Sequence, residues 1–201
     1  MLEQLLELER NWFFAINNFN NAWLDYLMLA FASVWIWCPL VIIPVYIMLK
    51  KRKDWAAILI CTAMTGVMNG LITFLLIKPF FMRFRPTSHP LFMEKVRIIN
   101  EYIADGDYGF ISGHSTNAFA FAIMSALFIK NKWYSIFIFI WATIMVYSRI
   151  YLGAHFITDV IPGTLLGLLL GWLLYKIASS ISNRRNKLSV TDVLVKNIEM
   201  K

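Results

Sequence analysis

Two uncharged runs restrict what this chain can become. Residues 26–49 are 24 positions without a charge, and residues 55–77 are 23 more. At 1.5 Å per residue, a helix of either length reaches about 35 Å and can cross a hydrocarbon core of roughly 30 Å. Shorter apolar segments come later at 110–129, 133–148 and 156–175, the last holding Asp159 and the middle one ending next to Arg149. Only helices or closed barrels satisfy their backbone in lipid, and these runs lack the alternation of strands. The predicted fold is therefore all-α, a polytopic membrane helix bundle of about five transmembrane helices. At 59% hydrophobic and 15% charged residues, the chain is more apolar than a soluble domain and too apolar for disorder. Cys38 and Cys61 sit inside apolar runs, so they argue for neither a disulfide framework nor a thiolate metal site.

The first 22 residues have a different pattern. Leu2, Leu5, Leu6, Trp12, Phe13, Ile16 and Phe19 fall roughly on one helical face, and Glu3, Glu7, Arg10 and Asn17 mostly on the other. This predicts an N-terminal interfacial amphipathic helix over 1–22, ahead of a membrane domain at 23–180 and a tail at 181–201. It lacks the basic start and clean apolar core of a signal peptide, so no cleavage is expected. The net charge of +7 is unevenly distributed. Lys50, Lys51, Arg52 and Lys53, then Lys130 and Lys132, then Lys176, Arg184, Arg185 and Lys187 all come after odd-numbered spans. That side carries 12 Lys/Arg against three acids, and the other seven against nine. The positive-inside rule puts these loops and the C-terminus in the cytoplasm, with the N-terminus and the 78–109 loop outside. The bias explains the basic charge without nucleic acid.

Six ionisable groups lie at span ends on the outer side: Lys78, Arg85, His114, Arg149, His155 and Asp159. Charge at a span edge is costly and points to function. Each element alone has a plain explanation: interfacial snorkelling for Lys78 and Arg85, an ordinary turn for Ser112-Gly113-His114, a helix cap for His155 and Asp159. Together they hold more. Three cations match a phosphate dianion, and a Ser-Gly turn entering a helix offers backbone N–H groups to an anion. His155 and Asp159, four apart, share a helical face, and a carboxylate beside imidazole fixes its tautomer. A second histidine is left to act as acid. This is an inventory for phosphoryl transfer: charge clamp, nucleophile and general acid. No acidic cluster is at hand for a magnesium ion.

These segments resemble the three-part signature of the type 2 phosphatidic acid phosphatase (PAP2) superfamily: K-x6-R-P, P-S-G-H and S-R-x5-H-x3-D. Here they read Lys78-x6-Arg85-Pro86, Ile111-Ser112-Gly113-His114 and Ser148-Arg149-x5-His155-x3-Asp159. The likeness covers about residues 20–180, with the specific motifs in 78–159. One position departs: Ile111 stands where the pattern has proline, which leaves an N–H to satisfy and a less rigid turn. The resemblance implies that His155 attacks phosphorus and forms a phosphohistidine, that Asp159 orients it, and that His114 protonates the leaving group. Lys78, Arg85 and Arg149, with Ser112 and the Gly113 N–H, would hold the phosphate oxygens. It also implies a metal-independent enzyme with no cofactor. Arg83 adds a further cation, expected to contact headgroups or else to help grip the substrate, and His89 is expected to be a solvated loop residue. Asp25, Trp23, Trp35 and Trp37 are expected to pack or to sit at the interface.

A site opening between spans at the outer leaflet suits a membrane lipid phosphate. For a bacterial inner-membrane protein of this family, the expected substrates are lipid A at its 4′-phosphate or undecaprenyl pyrophosphate, with phosphatidylglycerol phosphate and phosphatidic acid behind. A lipid-to-lipid phosphotransferase is the alternative reaction. No obligate protein partner is expected. The 87–109 segment, with His89, Glu94, Lys95, Arg97, Glu101, Asp105 and Asp107, is long for a loop and is expected to be partly helical and to shape headgroup choice.

Overall fold

The structure, a computed structural model, describes residues 2–50, 55–104 and 106–199, with side chains except those of Leu2, Val34 and 185–199. Lys51, Arg52 and Lys53, Asp105, and the side chains of Arg185 and Lys187 therefore lie outside the described residues. Among the described residues the regular structure is helical, with one isolated antiparallel bridge between Phe84 and Tyr108.

Helix α1 spans Leu2–Asn17, α2 Ala22–Ala32 and α3 Val34–Leu49. The run at 26–49 is thus two helices, bent by 50°. The break is local: Ser33 is extended (φ −82°, ψ 141°), ends α2, and accepts the Trp35 N–H as the cap of α3. Helix α4, Trp55–Gly70, runs into a π-helical stretch, Leu71–Ile77, and then into α5, Lys78–Phe81. The wider turn rotates α5 relative to the course of a regular helix, and Lys78 arrives buried. Helices α6 (Gly113–Ile129), α7 (Lys132–Tyr151) and α8 (Ile157–Glu199) complete the order. Among the described residues, Trp55–Phe81, Lys132–Tyr151 and Ile157–Arg184 are long and apolar enough to cross a membrane; the bent α2–α3 pair makes a fourth, and α6 is apolar but shorter.

Helices α6 and α8 run parallel and almost touch. A Cβ on Gly163 would sit 2.7 Å from the Ser112 carbonyl oxygen, on Gly167 2.4 Å from that of Thr116, and on Gly171 2.2 Å from that of Ala120. Only glycine permits this approach, and its spacing of four keeps the contact on one stripe. Around this pair lies a core that includes Ile58, Ala118, Met124, Ile138 and Met145.

Helix α1 differs from its sequence pattern. Leu5, Leu6, Trp12 and Phe19 are exposed, while Glu9 and Asn17 join Phe13 in the interior. Asn17, expected on the outward polar face, instead donates to the Arg97 and Tyr151 carbonyls and accepts the Arg97 N–H. Glu3 and Glu7 stay exposed, so the inward face of α1 is set by Glu9, Phe13 and Asn17, four apart on one stripe.

Candidate active site

The N-terminal ends of α5 and α6, the C-terminal end of α7 and the turn that leads into α8 border a cavity of about 320 Å³. Its wall includes Lys78, Arg85, Gly113, His114, Arg149 and His155, which the sequence singles out from three separate segments.

The segment after α5 is pinned by backbone pairing. Arg85 N donates to the Asp107 carbonyl at 2.7 Å, and Gly109 N to that of Arg83 at 2.8 Å. The Arg85 side chain donates through Nε to the Gly106 carbonyl at 2.8 Å and through Nη1 to that of Ala154 at 2.9 Å. The same Nη1 lies 3.0 Å from His155 Nε2. A guanidinium only donates, so Nε2 accepts, and the ring proton sits on Nδ1. Nδ1 faces Asp159 Oδ2 at 3.6 Å, longer than a hydrogen bond, and has no hydrogen-bond partner among the described residues. Burial above all pulls the His155 imidazole down to about 4; Asp159 pulls back, and Arg85 and Lys78 add to the fall. The ring is thus neutral near pH 7, with its Nε2 lone pair toward the cavity.

Asp159 serves two ends. Its Oδ2 also accepts the Phe156 N–H at 2.9 Å, capping α8. The capping explanation for this pair holds, and the same cap sets the carboxylate beside His155. Ser112 caps α6 by accepting the Ser115 N–H at 3.3 Å, and its own N–H donates to the Asp159 carbonyl at 3.0 Å. The second and third motifs are therefore bonded directly. Ser112 is fully buried and occupied by the cap, whereas Gly113 and His114 reach the cavity wall, with His114 exposed. Ile111 is buried where the pattern has proline.

Arg149 donates to the Tyr102 hydroxyl at 2.6 Å and the Ala32 carbonyl at 3.2 Å. Its buried Nε has no hydrogen-bond partner among the described residues, nor do the Oδ1 atoms of Asn69 and Asn117 on the same wall. Such orphaned groups are costly without a polar guest. Lys78 lies over the Phe74 ring at 3.9 Å.

The model of the PAP2 superfamily matches residues 54–182. The chain belongs to that superfamily. As a member it is a phosphate-monoester hydrolase on a multi-pass membrane bundle. It is 36% identical to lipid A 4'-phosphatase of Porphyromonas gingivalis over 178 residues, covering 88% of this chain and 75% of that protein. The fold is similar to a transmembrane PAP2 type phosphatidylglycerolphosphate phosphatase from Bacillus subtilis (TM-score 0.66, 25% identity, 89% of this chain and 88% of that one). It is also similar to Aquifex aeolicus LpxE (TM-score 0.63, 25% identity, 84% and 95%).

Arg83 is not on the wall of the cavity and does not point to headgroups. Its guanidinium donates to Asp159 Oδ1 at 2.6 Å, Thr158 Oγ1 at 2.6 Å and Glu9 Oε2 at 2.5 Å. His89 is half-buried, stacked on Phe92 at 4.0 Å, and lines a second cavity with Arg10 and Arg83. Burial, with help from those two arginines, lowers its pKa. Asp25 pairs with Arg97 through both oxygens, at 2.9 and 3.0 Å, and accepts the Tyr151 hydroxyl. Part of the 87–109 segment is helical, as short 3-10 turns at Pro86–Ser88 and Met93–Lys95, and its Tyr102, Ile103 and Ala104 line the main cavity. Glu9, Asn69, Tyr102, Asn117 and Thr158 are not among the residues that the sequence marks for the site. Only Glu9 carries a signal, as an acid inside an amphipathic helix. Among the described residues no group of three or more His, Cys, Asp or Glu could hold a metal ion.

Proposed function

We propose that the protein removes the 4′-phosphate of lipid A at the outer face of a bacterial inner membrane, through a phosphohistidine on His155. The observation that carries this reading is the neutral His155, with Nε2 accepting from Arg85 at 3.0 Å and Nδ1 facing Asp159. The phosphate enters among Lys78, Arg85, Arg149 and the Gly113 N–H. There it draws the Arg85 guanidinium onto its oxygens and uncovers Nε2. The Nε2 lone pair attacks phosphorus in line with the ester oxygen. The P–O bond breaks as the N–P bond forms, and His114, which takes up the proton brought in by a monoanionic phosphate, passes it to the leaving alkoxide. His114, now neutral, takes a proton from water, whose oxygen displaces Nε2 and releases inorganic phosphate. Spread negative charge in a loose transition state is what fixed cations stabilise.

The Porphyromonas gingivalis relative supports lipid A as substrate, since the match spans most of both chains. Phosphatidylglycerol phosphate is the second reading, supported by the likeness to the Bacillus subtilis enzyme. The outward orientation rests on the distribution of lysine and arginine.

The test is phosphate release by the purified protein in detergent with EDTA present. The panel is lipid A, undecaprenyl pyrophosphate, phosphatidylglycerol phosphate and phosphatidic acid. Lipid A is expected to lead, with label trapped on His155 after acid quench and no turnover in His155→Ala. Preference for another lipid overturns the substrate. Turnover without label on His155 overturns the nucleophile, and phosphate arriving on a second lipid makes the enzyme a transferase.

A further inference from the structure

Asp159 is the carboxylate that faces the His155 ring, yet its other oxygen is committed elsewhere. Arg83 Nη1 holds Oδ1 at 2.6 Å. Through Nη2 the same guanidinium reaches Glu9, a residue of α1 distant in sequence and buried to within a few per cent. Thr158 closes the circuit, accepting from Arg83 and donating to Glu9 Oε1. The Arg83 guanidinium also lies over Phe156, 4.8 Å from its centroid, which places it next to the cap of α8. Two carboxylates and one guanidinium thus form a charge-alternating line: Glu9, Arg83, Asp159, then His155. Asp159 itself is fully buried, so little water screens the line.

We propose that Arg83 and Glu9 are positioning residues for phosphoryl transfer, setting through Asp159 how firmly His155 holds a proton and so over what pH range it is a nucleophile. The inference rests on the proposed role of His155 as nucleophile. Arg83 draws the negative charge of Asp159 toward itself and weakens its hold on an imidazolium. Glu9 offsets Arg83 and restores part of that hold. Charged and titratable groups face His155 from other elements too: Lys78 from the start of α5, Arg85 from the segment after it, His114 from α6 and Arg149 from α7. Arg83 is faced further by His89 and Arg10. Of these, His89 alone has its pKa lowered by Arg83, and it lines the second cavity rather than facing His155, so the direction of the response at His155 is set by the line itself.

The two ends of the line are therefore predicted to act in opposite senses. Without the Arg83 charge, Asp159 holds the imidazolium more firmly, and the acid limb of kcat/KM moves to higher pH. Without the Glu9 charge, Arg83 acts on Asp159 unopposed, and the limb moves lower. A nearby charge of this kind shifts a pKa by about one unit.

The experiment is a set of pH profiles of kcat/KM on the lipid phosphate turned over best, in detergent, for wild type, Arg83→Gln, Glu9→Gln, the double variant and Arg83→Lys. Titration of the substrate phosphate is common to all and cancels in the comparison. Arg83→Gln is expected to shift the limb up and Glu9→Gln down, each by about one unit. The double variant, which removes a neutral pair, should return near wild type. Arg83→Lys keeps the charge but not the fork; its limb should stay near wild type while kcat falls. Melting in the same detergent separates folding from tuning, and Glu9→Gln and Arg83→Lys are the mild changes if Arg83→Gln does not fold. A merely structural role would lower melting temperature and activity with the limb unmoved, or move both limbs in one direction; either result overturns the inference. His155→Ala run alongside distinguishes the two levels. If it turns over substrate, the nucleophile reading fails; if it is dead while the limbs do not move, the tuning line alone fails.

Discussion

Gly167→Ala adds one methyl group where α6 and α8 run closest. Its Cβ would lie 2.4 Å from the Thr116 carbonyl oxygen, 3.0 Å from Thr116 Cα and 3.1 Å from the Ala120 nitrogen. All three are backbone atoms on a helix, so no side chain can swing away. Ordinary contact begins near 3.4 Å, so the helices must part by about 1 Å. A gap of that size forfeits roughly a quarter to a half of each neighbouring dispersion contact. Overpacking of this type costs about 1–3 kcal/mol. The catalytic effect should exceed the stability effect. The displacement acts between the Ser112–His114 turn on α6 and the His155–Asp159 corner of α8, now joined by one 3.0 Å backbone bond from Ser112 to Asp159. A misplacement of about 1 Å costs on the order of 100-fold in rate. The assay is phosphate release under saturating lipid phosphate, with a thermal melt in the same detergent. Gly66→Ala is the control, since nothing lies within 4 Å of a Cβ there. Wild-type kcat in a folded Gly167→Ala would refute the claim that this stripe registers the two motifs.

Three further outcomes are expected. Tyr102→Phe removes the hydroxyl that accepts from Arg149 at 2.6 Å, and steady-state kinetics should show kcat/KM lower by about tenfold, the loss of one charge-assisted bond; an unchanged value would mean that the Ala32 carbonyl alone orients the guanidinium. Arg97→Ala leaves the Asp25 carboxylate and the Asn17 and Phe19 carbonyls short of donors, and limited proteolysis should cut faster within 98–104, with a loss of about 2 kcal/mol in stability. Because native His155 titrates near 4 against an ordinary 6.5, the unfolded chain binds a proton that the folded one refuses between those values. Stability is therefore fully present above about pH 6.5 and falls as pH drops toward 4, by about 3 kcal/mol; His155→Gln should flatten this part of the denaturation profile relative to wild type.

The residues that line the cavity were legible because their chemistry is conspicuous against an apolar chain. Lys78, Arg85, His114, Arg149 and His155 stand at span edges, where charge needs a reason, and all five reach one cavity. What supports them was harder to read. Glu9 and Asn17 belong to a helix whose amphipathic pattern names two faces but not which one turns inward. Asn69, Tyr102 and Asn117 are ordinary polar residues whose value depends on what lies across from them. The stripe of Gly163, Gly167 and Gly171 is visible as a spacing of four. The partner helix, and the closeness of approach, came only with the fold. The break at Ser33 lies inside an uncharged run, and hydropathy is blind to a change in backbone direction. Arg83 illustrates the same limit: its charge was plain, but lipid headgroups and a buried carboxylate pair answer that charge equally well.

The 87–109 segment is tied down at both ends. At Arg97 it is clamped to Asn17 and Asp25, and at 106–109 it is paired with Arg83 and Arg85. Between these anchors hangs a short bridge whose Tyr102, Ile103 and Ala104 close one side of the cavity. Among the described residues, the Tyr102 hydroxyl ties that bridge to Arg149. A change of sequence at Ile103 or Ala104 alters the shape of the cavity on that side. The molecule thus hangs one wall of its cavity between two fixed knots of hydrogen bonds, where side chains can vary without loosening either knot.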